Sequence, residues 1–102
     1  MIGRLWRGWT TFDNAGAYEA LLRTEILPGI HRVGGYRGAY LLRRDVPDGV
    51  EFATLTLFDS MDAVKAFAGE SYENAVVPPA ARALLREFDR RSLHYVVAIK
   101  PE

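Results

Sequence analysis

Two histidines, five tyrosines and two tryptophans are the groups in this chain best suited to move a proton or grip an aromatic molecule. The absence of cysteine removes disulfides, thiolate metal sites and thiol nucleophiles together, and suits a reducing cytoplasm. His94 is the leading base candidate, since an unperturbed imidazole titrates near neutral pH and this one falls in an expected strand. It reads equally as a strand histidine hydrogen-bonded at a seam or surface. His31, in the loop after Pro28-Gly29, is expected to face solvent. Tyr36, Tyr40, Tyr72 and Tyr95 each join an apolar ring to a polar tip that can donate to a carbonyl, although most such residues serve cores and interfaces. Tyr72 stands apart because it lies in an irregular segment, and loops on a rigid scaffold are where sites concentrate.

Trp6 and Trp9 lie three residues apart on one expected strand, so they point to opposite faces. One can line a cavity while the other packs, and Trp9 is taken as the substrate-binding candidate, with Tyr40, Thr54, Phe58 and Phe67. Thr54 and Thr56 share a strand face with Phe52 and Phe58, where their hydroxyls are modest polar anchors or ordinary strand formers. Arg7 and Arg37 are able to anchor a carboxylate or phenolate, but a cross-strand ion pair with Glu51, or a solvated edge, is the preferred reading.

Other chemistries find little support. Gly34-Gly35-Tyr36-Arg37-Gly38 lacks dinucleotide-loop spacing and precedes a strand. His31 and His94 are far apart in sequence with no i, i+4 pairing, so no metal is expected. Ser71 and Ser92 have no visible triad partners. Arg82, Arg86, Arg90 and Arg91, interspersed with Glu87 and Asp89, read as a solvated face. Thirteen basic residues balance thirteen acidic ones, which leaves no electrostatic footprint for nucleic acid or an anionic membrane. No apolar run reaches bilayer or signal-peptide length, so a cytoplasmic protein is expected.

These groups must be positioned by one domain, since 102 residues, 49% of them hydrophobic, suffice for a single core. Residues 4–12 read as a first strand. Asp13 is a plausible N-cap for a helix with Ala15, Tyr18, Leu22 and Ile26 on one stripe, stopped by Pro28. Residues 36–42 and 50–58 read as two strands joined through the turn residues Asp45-Val46-Pro47-Asp48-Gly49. Ser60 caps a short helix carrying Met61, Val64, Phe67 and Ala68 and ending at Gly69. Pro78-Pro79 opens a further helix whose stripe is Ala81, Leu84, Leu85 and Phe88. Residues 93–99 read as the fourth strand.

The order β-α-β-β-α(α)-β is that of an α+β, ferredoxin-like fold: a four-stranded antiparallel sheet with helices on one face. Both faces of the third and fourth strands are apolar, yet the helices cover only one. An open apolar patch of that size is rare on a monomer, so a second copy docked sheet to sheet about a two-fold axis is expected.

The chain resembles the antibiotic biosynthesis monooxygenase family within the dimeric α+β barrel superfamily. The resemblance is carried by residues 35–44 (GYRGAYLLRR), 51–69 (EFATLTLFDSMDAVKAFAG), 75–82 (AVVPPAAR) and His94-Tyr95, and spans nearly the whole chain. It implies a homodimer whose two sheets form a barrel, a cavity between each sheet and its helices, and oxygenation of small aromatic or polyketide-like molecules without metal or flavin. Such oxygenation requires a substrate able to become an electron-rich anion, a base, and donors that hold the oxyanion; His94 and Tyr72 are the candidates for proton transfer or orientation. Two departures stand out. Phe58 occupies a position that is often Trp, and of the Asn, Trp and His set that marks the haem-degrading branch the helical region offers no Trp and no convincing His, which disfavours haem degradation. The same fold also serves isomerases, cyclases and non-catalytic ligand-binding or structural dimers.

Overall fold

The computed structural model describes residues 1–101. β1 (Ile2–Thr10) is followed by α1 (Phe12–Leu21), a π-helical turn at Leu22–Ile26 and α2 (Leu27–Ile30). β2 (Tyr36–Val46) and β3 (Gly49–Phe58) come next, then α3 (Met61–Ala68), α4 (Pro79–Leu84), β4 (Leu85–Phe88) and β5 (Leu93–Val96). The sheet is five-stranded and antiparallel in the order β2-β3-β1-β4, with β5 also paired to β1. It is open rather than closed on itself, and the arrangement is the ferredoxin-like α+β fold expected. Among the described residues no helix is long and apolar enough to cross a membrane.

β1 is the organising strand. One edge pairs with β3 along its whole length, from Ile2 opposite Phe58 to Thr10 opposite Val50. The other edge is shared: β5 pairs with Ile2 to Leu5, and β4 with Gly8 to Thr10. The expected fourth strand, residues 93–99, is the shorter β5, and a fifth strand, β4, forms at the expected end of the last helix. Leu85 to Phe88, whose spacing also fits a helix, is extended because the free edge of β1 offers hydrogen bonds that another helical turn would forgo. Phe88 packs tilted against Trp6, with ring centroids 6.0 Å apart, and the Trp6 indole donates to the Asp89 carbonyl at 2.6 Å.

Local chemistry explains the other boundaries. Thr11, not Asp13, caps α1: its hydroxyl accepts from the Asn14 amide at 3.2 Å, while Asp13 sits in the first turn, where the helix dipole favours a negative charge. Pro28 does not stop the helix. The π turn before it shifts the hydrogen-bond register, so the missing N–H falls at a rearranged turn rather than in a regular ladder. Ser60 caps α3 through the Ala63 amide at 3.2 Å, and Gly69 closes it with φ 86°. The β2–β3 hairpin turns on Pro47-Asp48 between Val46 and Gly49. Gly49 has φ 156°, and a Cβ there would overlap the Thr10 carbonyl oxygen.

The helices cover the sheet face that carries Val50, Phe52 and Phe58, in two packed clusters. One gathers Ala15, Tyr18, Leu22 and Ala81 around Val50 and Phe52, with Tyr18 and Phe52 ring centroids 4.8 Å apart. The other gathers Ile30, Ala63 and Val64 around Phe58. The opposite face presents Tyr40, Leu42, Leu93 and Tyr95, each more than half exposed.

Candidate functional site

Between the sheet and the helices lies a cavity of about 430 Å³. Its floor is Arg4 and Trp6 of β1 with Thr54 and Thr56 of β3, adjacent residues in the β1–β3 register. Its roof includes Tyr18, Leu22 and Ile26 from the first helical stretch, Phe67 of α3, and Val77 and Ala81 near α4. The π turn supplies part of this roof, and such turns widen a helix where a ligand or side chain needs space. Cavities of this volume, mainly apolar with few polar groups, are those that take small organic molecules.

Arg4 is the unusual member. It is 4% exposed, yet none of its nitrogens lies within ion-pair distance of a carboxylate among the described residues. Nη1 donates to the Tyr72 carbonyl, and Nη2 donates to the Asn74 carbonyl at 3.1 Å. Nη1 also lies 2.9 Å from His94 Nε2. A guanidinium has only donors, so Nε2 must be the acceptor, which leaves the imidazole neutral with its proton on Nδ1. The direction of its titration agrees: burial, then the Arg4 charge, hold His94 below the usual histidine value, against a smaller opposing pull from Glu73. Burial also lowers the Arg4 value, but a guanidinium remains charged at any working pH. The cation stands 5.6 Å from the Phe67 ring centroid, a cation–π distance.

The residues singled out in the sequence divide between the two faces of the sheet. Thr54 and Phe67 line the cavity, and Phe58 is fully buried behind Phe67, with ring centroids 5.8 Å apart. His94 and Tyr72 come together as an edge-on pair at 5.2 Å, but they border a second, more open depression with Glu73, Ser92 and Leu93; Arg4 contacts both residues and itself lines the first cavity. Trp9 lies on the opposite sheet face, 5.3 Å from the Arg7 guanidinium, and Tyr40 projects from that face as well. Trp6, rather than Trp9, is thus the cavity tryptophan. Arg7 pairs with Asp89 at 3.0 Å and Arg37 pairs with Asp59 through two hydrogen bonds, so neither strand arginine meets Glu51, which Arg44 holds instead. Arg4 and Trp6 went unremarked as a pair in the sequence. Their shared parity with Thr54 and Thr56 in the β1–β3 register is the signal that joins them.

No protein-family model and no curated protein matches the chain. Among solved structures it is similar to a Bacillus cereus protein assigned as an antibiotic biosynthesis monooxygenase. That pair has 15% identity and a TM-score of 0.69, covering 100% of this chain and 95% of that one. It is also similar to a mutant of MhuD with two manganese protoporphyrin IX molecules bound per active site. There the identity is 15% and the TM-score 0.64, over 100% of this chain and 99% of that chain. A third is SnoaB, a cofactor-independent oxygenase from Streptomyces nogalater, with 18% identity and a TM-score of 0.59 over 99% and 94% of the two chains. At such identities the fold is what is shared, and the chain has the fold of the antibiotic biosynthesis monooxygenase structures.

Proposed function

We propose that the chain is a homodimeric, cofactor-independent monooxygenase-like enzyme that takes a small aromatic or polyketide-like molecule into the cavity between sheet and helices. The carrying observation is the buried Arg4 cation in the floor of a largely apolar cavity of about 430 Å³. A substrate with an acidic C–H or phenolic O–H binds there as its enolate or phenolate, because the guanidinium stabilises the anion in a site sheltered from water. Glu25, exposed at the cavity rim, is positioned to take up the departing proton. The anion gives electrons to dioxygen and forms a carbon hydroperoxide, which loses water. In net terms a CH₂ group and one O₂ become a C=O group and one H₂O.

His94 and Tyr72 act here as positioning residues. The His94 imidazole and the Tyr72 carbonyl hold the Arg4 guanidinium in place. Trp6, Thr54 and Phe67 contact the substrate, with Phe58 supporting Phe67 from behind. Trp9 and Tyr40 belong to the opposite face, which a second copy covers. A haem fits this cavity poorly. Among the described residues no histidine, cysteine or methionine lines it, and burial pushes the Tyr18 phenol up to about 12, away from a phenolate ligand.

Oxygen uptake by the purified protein with anthrone, with a chelator present, tests this reading. The expected result is one O₂ consumed per anthrone oxidised, a rate reduced about tenfold or more in His94→Ala, and unchanged dimerisation. Ligand binding without turnover would instead favour a non-catalytic binding dimer, and conversion without oxygen uptake an isomerase or cyclase. A haem or flavin band in the visible spectrum would overturn the cofactor-free assignment.

A further inference from the structure

Arg4 is satisfied on one side only. Its two terminal nitrogens make three contacts, with the carbonyls of Tyr72 and Asn74 and with His94 Nε2. A guanidinium has five N–H donors, so Nε–H and the second Nη2 proton are left over. In a guanidinium the Nε–H and the Nη2 proton on its side form an edge that matches the two oxygens of a carboxylate. Arg4 lines the cavity, and its guanidinium stands 5.6 Å from the ring centroid of Phe67, another lining residue. A second group nearby is also incomplete: the Thr54 hydroxyl, on the same floor, is buried with no hydrogen-bond partner among the described residues.

Charge points the same way. A cation this buried is normally paired with a carboxylate, because an unpaired buried charge is costly. The groups held against Arg4 are two carbonyls and a neutral imidazole, none of which cancels its charge. Glu25 is the one acidic residue of the lining, and it is exposed and forms no ion pair with Arg4 among the described residues. From this we infer that the ligand of the cavity is a carboxylic acid on an aromatic or otherwise flat apolar body, its carboxylate seated on the Nε–Nη2 edge of Arg4 and its body between Trp6 and Phe67. The inference rests on the proposed use of the cavity as a substrate site and adds an anchor to it: the carboxylate takes the free donors of Arg4, and an acidic C–H or O–H next to that carboxylate lies within the field of the same cation, while a carboxylate-free molecule such as anthrone uses those donors for its enolate oxygen alone.

The discriminating pair of probes is 2-naphthoate and 2-naphthamide, alike in shape and different in charge. Calorimetric titration of the intact protein with each gives the two affinities, and Trp6 fluorescence in a Trp9→Phe background reports occupancy of the cavity. The acid is expected to bind about 10- to 100-fold more tightly than the amide, the range for hydrogen bonds to a charged group. In Arg4→Gln that preference disappears while the amide affinity is retained. Thr54→Val, which keeps the side-chain shape, is expected to weaken the acid several-fold and leave the amide unchanged. Should Arg4→Gln fail to fold, the wild-type ratio and Thr54→Val decide. Equal affinities for acid and amide would overturn the carboxylate assignment and leave the cavity reading standing. Binding of neither probe would overturn both, whereas acid-selective binding without oxygen uptake would support the carboxylate assignment and remove the oxygenase reading.

Discussion

Arg4 and His94 are opposite one another in the β1–β5 pairing, with Arg4 Nη1 2.9 Å from His94 Nε2. Ninety residues of sequence separate them. The contact makes the charge of one depend on the other, since a protonated His94 would have no lone pair for Arg4 and would set two cations side by side. Tyr72 faces the imidazole edge-on and Glu73 lends a weaker opposing charge, so burial, and after it Arg4, hold the imidazole toward its neutral form.

A pH dependence of stability follows. His94 titrates below its ordinary value of 6.5 in the folded chain, so between that value and its lowered native one the unfolded state binds more protons. Stability is therefore steady above about pH 6.5 and falls as the pH drops through that window. Glu19, Glu51 and Asp59 are also held low, by Arg43, Arg44 and Arg37 in turn, but their window lies below the ordinary carboxylate values of 4.5 and 3.8. Urea midpoints measured across the histidine window should decline in the wild type and stay level in His94→Gln. An equal slope in both proteins would remove His94 as the cause.

Gly49 and Gly16 offer a paired check on the backbone. Gly49→Ala places a Cβ against the Thr10 carbonyl at φ 156° and is expected to cost about 2–3 kcal/mol, read from denaturation midpoints. Gly16→Ala sits within α1 with nothing inside 4 Å and should stabilise by about 0.5–1 kcal/mol. Opposite signs for the two are the expected result.

The outer sheet face sets a prediction for assembly. Leu42 and Leu93 lie on it beside Tyr40 and Tyr95, so Leu42→Glu or Leu93→Glu would bury an unpaired charge at a sheet-to-sheet contact. Light scattering at micromolar concentration should give a dimer mass for the wild type and a monomer mass for either variant, with helical and sheet content kept. A wild type that runs as a monomer would remove the proposed dimer.

Much of the fold could be read from local chemistry because local chemistry decides it. The turn at Pro47-Asp48-Gly49, the Ser60 cap, the Gly69 terminus and the Pro78-Pro79 start are each fixed by residues within a few positions of one another. The misread parts depend on distant partners. Leu85 to Phe88 becomes a strand only because the β1 edge is open to it, and Pro28 stays within the helical run only because a π turn precedes it. The site was harder for the same reason. Arg4 in isolation is one more strand arginine, and its meaning appears only when β5 brings His94, and the segment after α3 brings the Tyr72 and Asn74 carbonyls, to its guanidinium. The face of each tryptophan likewise waits on the β1–β3 register, which sets Trp6 opposite Thr54 and Trp9 opposite Glu51.

The most direct measurement is a crystal structure of the protein grown with 2-naphthoate. The account predicts its carboxylate within hydrogen-bond distance of Arg4 Nε and Nη2, its rings between Trp6 and Phe67, and the Arg4–His94 contact intact. Naphthoate seated on the outer sheet face, or in the depression beside Tyr72 and His94 with Arg4 untouched, would contradict it.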